Sequence, residues 1–282
     1  MKAPVAFLVL FGSLAVAPTG TAEVVNGGRA FDAAREIAQL GPRPAASVGE
    51  RRAHTKVLGA FRAAGLRTEV QRFRVPGRGR SRNVIGILDT PAHCLRIVMA
   101  HADTTTPGPG ANDNASGTGA VIALSAQVAD VGARCDVWLV ATGAEERIYT
   151  GSPDHLGALA LARRVRARGL EPRLRWALSM DEVGRGPDFW LRSPVRRPRR
   201  GVEVPILRAA RAAGASVRWV PDPGTGNSDH REFELLGMPA AKLGVGARGE
   251  PCRHLACDRG SRLDRRAFAR ALRVVRRSLR AR

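Results

Sequence analysis

Apolar and polar positions change their spacing along this chain, and each change predicts an element. Over residues 30–40, Phe31, Ala34, Ile37, Ala38 and Leu40 recur at helical spacing, and Gly41-Pro42-Arg43-Pro44 stops the run. Residues 49–64 predict a second helix, closed by Gly65, a residue that takes a left-handed stop without a Cβ clash. Residues 68–75 and 83–88 predict strands joined by a turn over 76–82. Residues 95–100 form a continuous apolar run broken by one Arg, the pattern of a strand buried on both faces. Residues 136–141, 174–180 and 240–245 predict further strands. Helices are predicted over 116–128, 155–168 and 203–213, and from about Arg262 to the end. The loop 104–114 is rich in Thr, Pro and Gly, and residues 185–202 are expected to form a rim or lid. The alternation predicts a largely parallel sheet with helices on both faces, and no long linker divides it.

Composition narrows the compartment more than the fold. Of 282 residues, 44% are apolar and only 5% aromatic, so the core must be built mostly of Ala, Val and Leu. Residues 1–22 read as a secretory signal: Lys2, an apolar stretch over 6–17 too short to span a bilayer, then Gly20-Thr21-Ala22. The expected catalytic domain is then 23–282, secreted, with no membrane anchor. Four cysteines, an even number, suit an oxidising compartment. Cys94 and Cys135 open strand-like runs, and Cys252 and Cys257 bracket His254; four cysteines allow three pairings, and all stay open. The net charge is +21, nearly all from Arg, since Lys2, Lys56 and Lys242 are the only lysines. The arginines are spread, and the densest group, residues 192–200, holds Pro194 and Pro198 and reads as a loop. No clustered stripe with a recognition motif is present, so no specific nucleic-acid partner is expected.

The chemistry lies at the strand ends. His101, Glu145, Glu146 and Asp181 each sit at or just past the end of a predicted strand, where open α/β sheets bind ligands. Asp113 lies in the glycine-bounded loop 110–117, and His254 in the cysteine-bracketed loop. Imidazoles and carboxylates in this number suit zinc, and less well manganese or cobalt. Asp113 is the best candidate to bridge two ions, and Glu145, beside Glu146, is free to act as a base. Asp103 is placed to orient His101, and Asp258 to orient His254. His54 and His155 read as helix-surface residues and His93 as a turn residue, while His230 stands apart because it follows Gly226-Asn227-Ser228-Asp229. The set implies metal-assisted hydrolysis, most plausibly of a peptide bond.

In this order and spacing the residues resemble the secreted co-catalytic zinc exopeptidases of the bacterial leucyl aminopeptidase type, relatives of the glutaminyl cyclases. The resemblance spans about residues 30–278. It rests on segments 40–44, 83–86 and 100–103, on 110–117, on 143–146 with Gly151-Ser152, on 180–184, on Ser228-Asp229-His230 with Phe233, on 237–240, and on His254 with Asp258. It implies a three-layer α/β/α sandwich around a mixed, mostly parallel sheet. It implies two zinc ions per chain: His101 and Asp181 hold one, Glu146 and His254 the other, and Asp113 bridges. Glu145 would be the general base and the peptide after Asp113 cis; Asp103, read from its place beside His101, is counted with Glu145 as catalytic. The expected activity is a monomeric aminopeptidase acting on peptides or small aminoacyl substrates. The alternatives are a single-zinc cyclase-like enzyme and an inactive basic binding protein on the same fold. The sequence departs from the family pattern at Ile148, at Glu182, where an apolar residue is usual, and at Arg253, where Tyr is common. Arg253 hints at an acidic group in the substrate. Tyr149 is the only Tyr.

Overall fold

Side chains along a strand alternate between two faces, so strands apolar at every position demand helices on both sides. The computed structural model describes residues 19–146, 155–224 and 226–281. Among these, the strands are β1 (Arg67–Val75), β2 (Gly79–Leu88), β3 (Leu95–His101), β4 (Asp136–Thr142), β5 (Leu174–Asp181), β6 (Asp188–Ser193), β7 (Ser216–Pro221) and β8 (Ala240–Val245). They form one sheet in the order β1-β2-β4-β3-β5-β8-β6-β7. The block β4-β3-β5-β8 is parallel. Antiparallel β2 and β6 flank it, and β1 and β7 complete the edges.

Val98, Ala100, Leu139, Ala141, Leu178 and Met180 face one side. There they pack with α1 (Thr19–Ala38), α2 (Val48–Ala63), α3 (Ser116–Ser125), α5 (Glu203–Ala212) and α7 (Arg265–Arg280). Ile97, Met99, Trp138, Val140 and Ala177 face the other side, against α4 (Leu156–Ala167) and α6 (His230–Leu235). The result is the expected three-layer sandwich. α7 shows how the Arg-rich composition is accommodated. It buries Phe268, Leu272, Val275 and Leu279 and leaves its last-turn arginines, Arg277 and Arg280, where they complement the helix dipole. Arg96, the lone charge in β3, is buried because its guanidinium donates to the carbonyls of Ser278, Leu279 and Ala281 at 3.0, 2.7 and 2.6 Å, closing the end of α7.

Both brackets of cysteines are bonded: Cys94 to Cys135, joining the starts of β3 and β4, and Cys252 to Cys257. Several expectations shift. α1 begins at Thr19, well before residue 30. β2 begins at Gly79 because the hairpin pairs Val75 with Gly79. Part of the expected rim is a sheet strand, β6, whose Phe189, Leu191 and Ser193 point inward while Asp188, Trp190 and Arg192 stay half-buried. That alternation over six residues, with an Arg in it and prolines just beyond, hid the strand. Edge strand β7 buries so little that its apolar signal is weak. The signal-like segment falls largely on residues 1–18, and Ile148, Tyr149, Gly151 and Ser152 on 147–154, all outside the described residues. Among the described residues no helix is long and apolar enough to cross a membrane.

His54, expected on a helix surface, is fully buried, with Nε2 3.2 Å from the Thr142 carbonyl. Burial, aided by Arg82, pushes its pKa down from 6.5 to about 4. The unfolded chain therefore binds a proton below pH 6.5 that the fold refuses, and the stability this confers at neutral pH is lost as pH falls towards 4. The gain in unfolding free energy between pH 4 and pH 7 should be larger in the wild type than in His54→Gln by roughly 3 kcal/mol. Identical pH profiles in denaturant titrations would show that the ring charges freely in the fold.

Candidate metal centre

Because β4, β3 and β5 lie side by side and parallel, their last residues share one edge of the sheet. β3 ends at His101, β5 ends at Asp181, and Glu145 and Glu146 follow β4. Asp113 arrives from the turn Ala111–Ala115 ahead of α3, through a cis peptide to Asn114. Gly117 lets that turn press onto β5: a Cβ there would overlap the Met180 carbonyl and stand 2.5 Å from Asn114 Oδ1. His254 is carried on the disulfide-closed loop.

Asp113 turns its two oxygens to different histidines. Oδ1 lies 3.3 Å from His101 Nε2, and Oδ2 lies 3.3 Å from His254 Nε2. Asp181 Oδ1 stands 3.5 Å from His101 Nε2, and Glu146 Oε2 stands 3.1 Å from His254 Nε2. Two donor sets thus share one carboxylate. Ligand atoms of His101, Asp113 and Glu146, and of His101, Glu145 and Asp181, also lie within 4.8 Å of one another. Glu145 stands further back, with Oε2 3.9 Å from His101 Nε2. The cavity over these groups is about 180 Å³. Ala144, Glu182 and His254, each at or beside a candidate ligand, adopt φ of 53°, 61° and 61°, a region costly for residues with a Cβ and typical of functional sites.

The charges explain what the pocket accepts. Burial pushes Glu145 well above the usual carboxylate range, and Glu146 and Asp181 add to it. Burial and Asp113 lift Glu146 to about 7. Burial would raise Asp113 too, but His101 and His254 hold it at about 2. His254, between Asp113 and Glu146, is raised to about 10. The histidines must carry protons to balance the acids, and divalent cations would replace those protons. Asp181 Oδ2 accepts from Ser228 Oγ at 2.9 Å and pairs with Lys242 Nζ at 2.7 Å. Its inner Oδ1, like Glu146 Oε1, is buried without a hydrogen-bond partner. Carboxylate oxygens beside imidazole nitrogens, with Asp181 Oδ1 at His101 left without a hydrogen bond, are the donor set that zinc takes.

The surrounding groups hold backbone more than they hold rings. Asp103, expected to orient His101, also accepts from the backbone N–H groups of Glu145 and Glu146, both at 3.1 Å. The ring nitrogen His101 Nδ1 faces both the Asp103 carbonyl, at 3.2 Å, and its carboxylate Oδ1, at 3.7 Å. Asp258 does not reach His254. It accepts from the N–H groups of Asn112 and Asp113, at 2.8 and 2.9 Å, and so fixes the bridging loop. Buried Arg43 donates to Ala102 O at 2.9 Å and Pro109 O at 2.6 Å, tying the His101 and Asp113 loops together. His230 lies apart, buried with Nε2 2.7 Å from Asp222 Oδ2. His155, expected on a helix surface, is buried in the pocket wall, where Nδ1 donates to Glu232 at 3.0 Å and Nε2 faces Glu145 Oε1 at 3.5 Å. Nothing in its spacing marked it, because it stands just ahead of α4, where helical periodicity begins. Lys242 did carry a signal: it is the one charge in the apolar run of β8.

The model of Peptidase family M28 matches residues 83–279. Leupeptin-inactivating enzyme 1 of Streptomyces exfoliatus is 28% identical over 222 residues, 72% of this chain and 46% of that protein, so the chain spans about half the length of that relative. In structure, a zinc aminopeptidase from Bacillus subtilis, BSAP, superposes with a TM-score of 0.75 over 89% of this chain and 93% of its own, at 16% identity. A glutaminyl cyclase of Fimbriiglobus ruber does so with a TM-score of 0.77 over 90% and 94%, at 19% identity. These likenesses establish a shared fold.

Truncating Asp258 to Ala leaves the buried N–H groups of Asn112 and Asp113 without an acceptor, so the bridging carboxylate loses its seat. Chelator competition should show zinc affinity falling by about 10–100-fold, the usual effect of removing a group that orients a ligand. Unchanged affinity would show that the loop holds its place without Asp258.

Proposed function

The chain belongs to peptidase family M28 and is a metallopeptidase; on that basis we propose that it is an aminopeptidase working with two zinc ions and Glu145 as general base. The observation that carries this reading is Asp113, whose two carboxylate oxygens face two different histidines at equal distance. His101 and Asp181 would hold one ion, and His254 and Glu146 the other, with Asp113 between them. Bound there, zinc supplies Lewis acidity towards the scissile carbonyl and makes a water available as a nucleophile near neutral pH.

The chain's own residues do the rest. Glu145 is buried, close to the ligands and not needed among them, so its carboxylate takes the proton from the attacking water. It then returns that proton to the leaving amine. His155, held by Glu232, faces the outer oxygen of Glu145 and fixes its direction. The N–H groups of Glu145 and Glu146 are both engaged by Asp103, so base and ligand keep a fixed spacing. The substrate's free amine enters a pocket walled by acids, which attract it. Peptides or small aminoacyl compounds fit this description, and the two disulfides suit work in an oxidising, extracellular setting.

Glu145→Gln should bind zinc as the wild type does yet lose about 100-fold or more in kcat on aminoacyl amides. The wild type should leave N-acetylated versions of those amides intact and stop working after chelation. Near-normal turnover by the Gln variant would remove Glu145 from its role, and cleavage of acetylated substrates would contradict an aminopeptidase.

A further inference from the structure

A second cavity, of about 190 Å³, opens beside the metal pocket and shares Glu182, Asn227, Lys242 and Arg253 with it. Its volume is below the roughly 300 Å³ at which clefts for drug-sized ligands begin, and suits a single side chain. If the proposed aminopeptidase reading holds, the N-terminal residue is where the substrate chain ends. Its side chain is then the group that fills a recess beside the scissile bond, while the remaining peptide leaves through the mouth.

The walls of this cavity carry an excess of positive charge. Arg192, Lys242 and Arg253 line it, against one carboxylate, Glu182. Glu182 is already shared: Arg253 grips it through two nitrogens at 2.7 and 2.5 Å, and Lys242 stands 4.0 Å away. Arg192 makes only a long ion pair. Among the described residues its acid partner is Asp222, whose Oδ1 pairs with it at 3.7 Å, too long for a hydrogen bond, and the other oxygen of Asp222 is engaged by His230. The Arg192 guanidinium lies over the Trp190 ring, 4.5 Å from its centre, which holds the planar fork in one orientation. A guanidinium held in one orientation, ion-paired at 3.7 Å but making no hydrogen bond among the described residues, in a recess sized for one side chain, can receive a carboxylate. The same charges repel a lysine or arginine side chain.

We propose that this cavity receives the side chain of the substrate's N-terminal residue and selects an acidic one, with Arg192 pairing with its carboxylate. The proposal rests on the aminopeptidase reading, and the test separates the two. Amides of Glu, Asp, Leu and Lys are compared by kcat/KM on the zinc-loaded enzyme. The acidic amides should exceed Leu by about tenfold or more, the worth of one hydrogen bond to a charged group, and Lys should be slowest. Arg192→Gln should lower the Glu-to-Leu ratio by about the same factor, and Arg192→Glu should turn the preference towards Lys. As a readout apart from turnover, free L-glutamate should raise the Tm of the zinc-loaded protein more than L-leucine, and Arg192→Gln should remove that difference. Leu cleaved faster than Glu and Asp by the wild type would overturn the acidic preference while leaving an aminopeptidase. An unchanged ratio in a folded Arg192→Gln variant would overturn the role of Arg192. No cleavage of any free-amine amide would remove the aminopeptidase reading and this proposal with it.

Discussion

Five carboxylates, those of Asp103, Asp113, Glu145, Glu146 and Asp181, are buried together at one edge of the sheet. Charges of one sign out of water repel strongly, and each also loses its hydration. Three side-chain cations stand close by as fixed parts of the fold: Lys242 against Asp181, Arg253 against the neighbouring Glu182, and Arg43 behind the loops. These do not match the acids in number, and the two histidines of the cluster supply the rest only by holding protons. The need for further positive charge shapes everything around the pocket. It explains why the ligand oxygens face inward unbonded and why their outer partners are so completely engaged.

Holding such a cluster in place is mainly a matter of backbone. Parallel β4, β3 and β5 bring three chain segments to one edge at strand spacing. Asp103 then clamps the Glu145-Glu146 peptide, Asp258 clamps the Asp113 loop, and Arg43 spans the loops after β3. Removing a carboxylate that accepts two buried N–H groups costs more than the hydrogen bonds it made, because both donors lose water and partner together. The acids that hold backbone are therefore as necessary as those that face the cavity, although they never touch it.

Much of this was legible in the residues, and the part that was not has physical reasons. Runs such as 95–100 and 136–141 are apolar at every position, so both the strands and the two helical layers followed from them. Strand ends are fixed by where such runs stop, so His101, Glu146 and Asp181 were visible as a group. Asp103 and Asp258 were visible as acids near ligands, but spacing says nothing of whether a carboxylate turns to a ring or to an amide. β6 and the edge strand β7 were missed because half-buried strands keep polar residues at alternate positions. His155 was missed because its partners, Glu145 and Glu232, come from distant segments that only the folded chain assembles. Arg192 is of the same kind: that its guanidinium faces Asp222 only at 3.7 Å and makes no hydrogen bond among the described residues is a property of the space around β6, not of the sequence near it.

The central claim is that one carboxylate, Asp113, serves two ions. Zinc-edge anomalous diffraction from crystals of the zinc-loaded protein tests it most directly. The account predicts two peaks roughly 3.5–4 Å apart, the usual spacing of paired catalytic ions. They should lie on either side of Asp113, one beside His101 and Asp181 and the other beside His254 and Glu146. A single peak at full occupancy, or two peaks with Asp113 bound to only one, would contradict it.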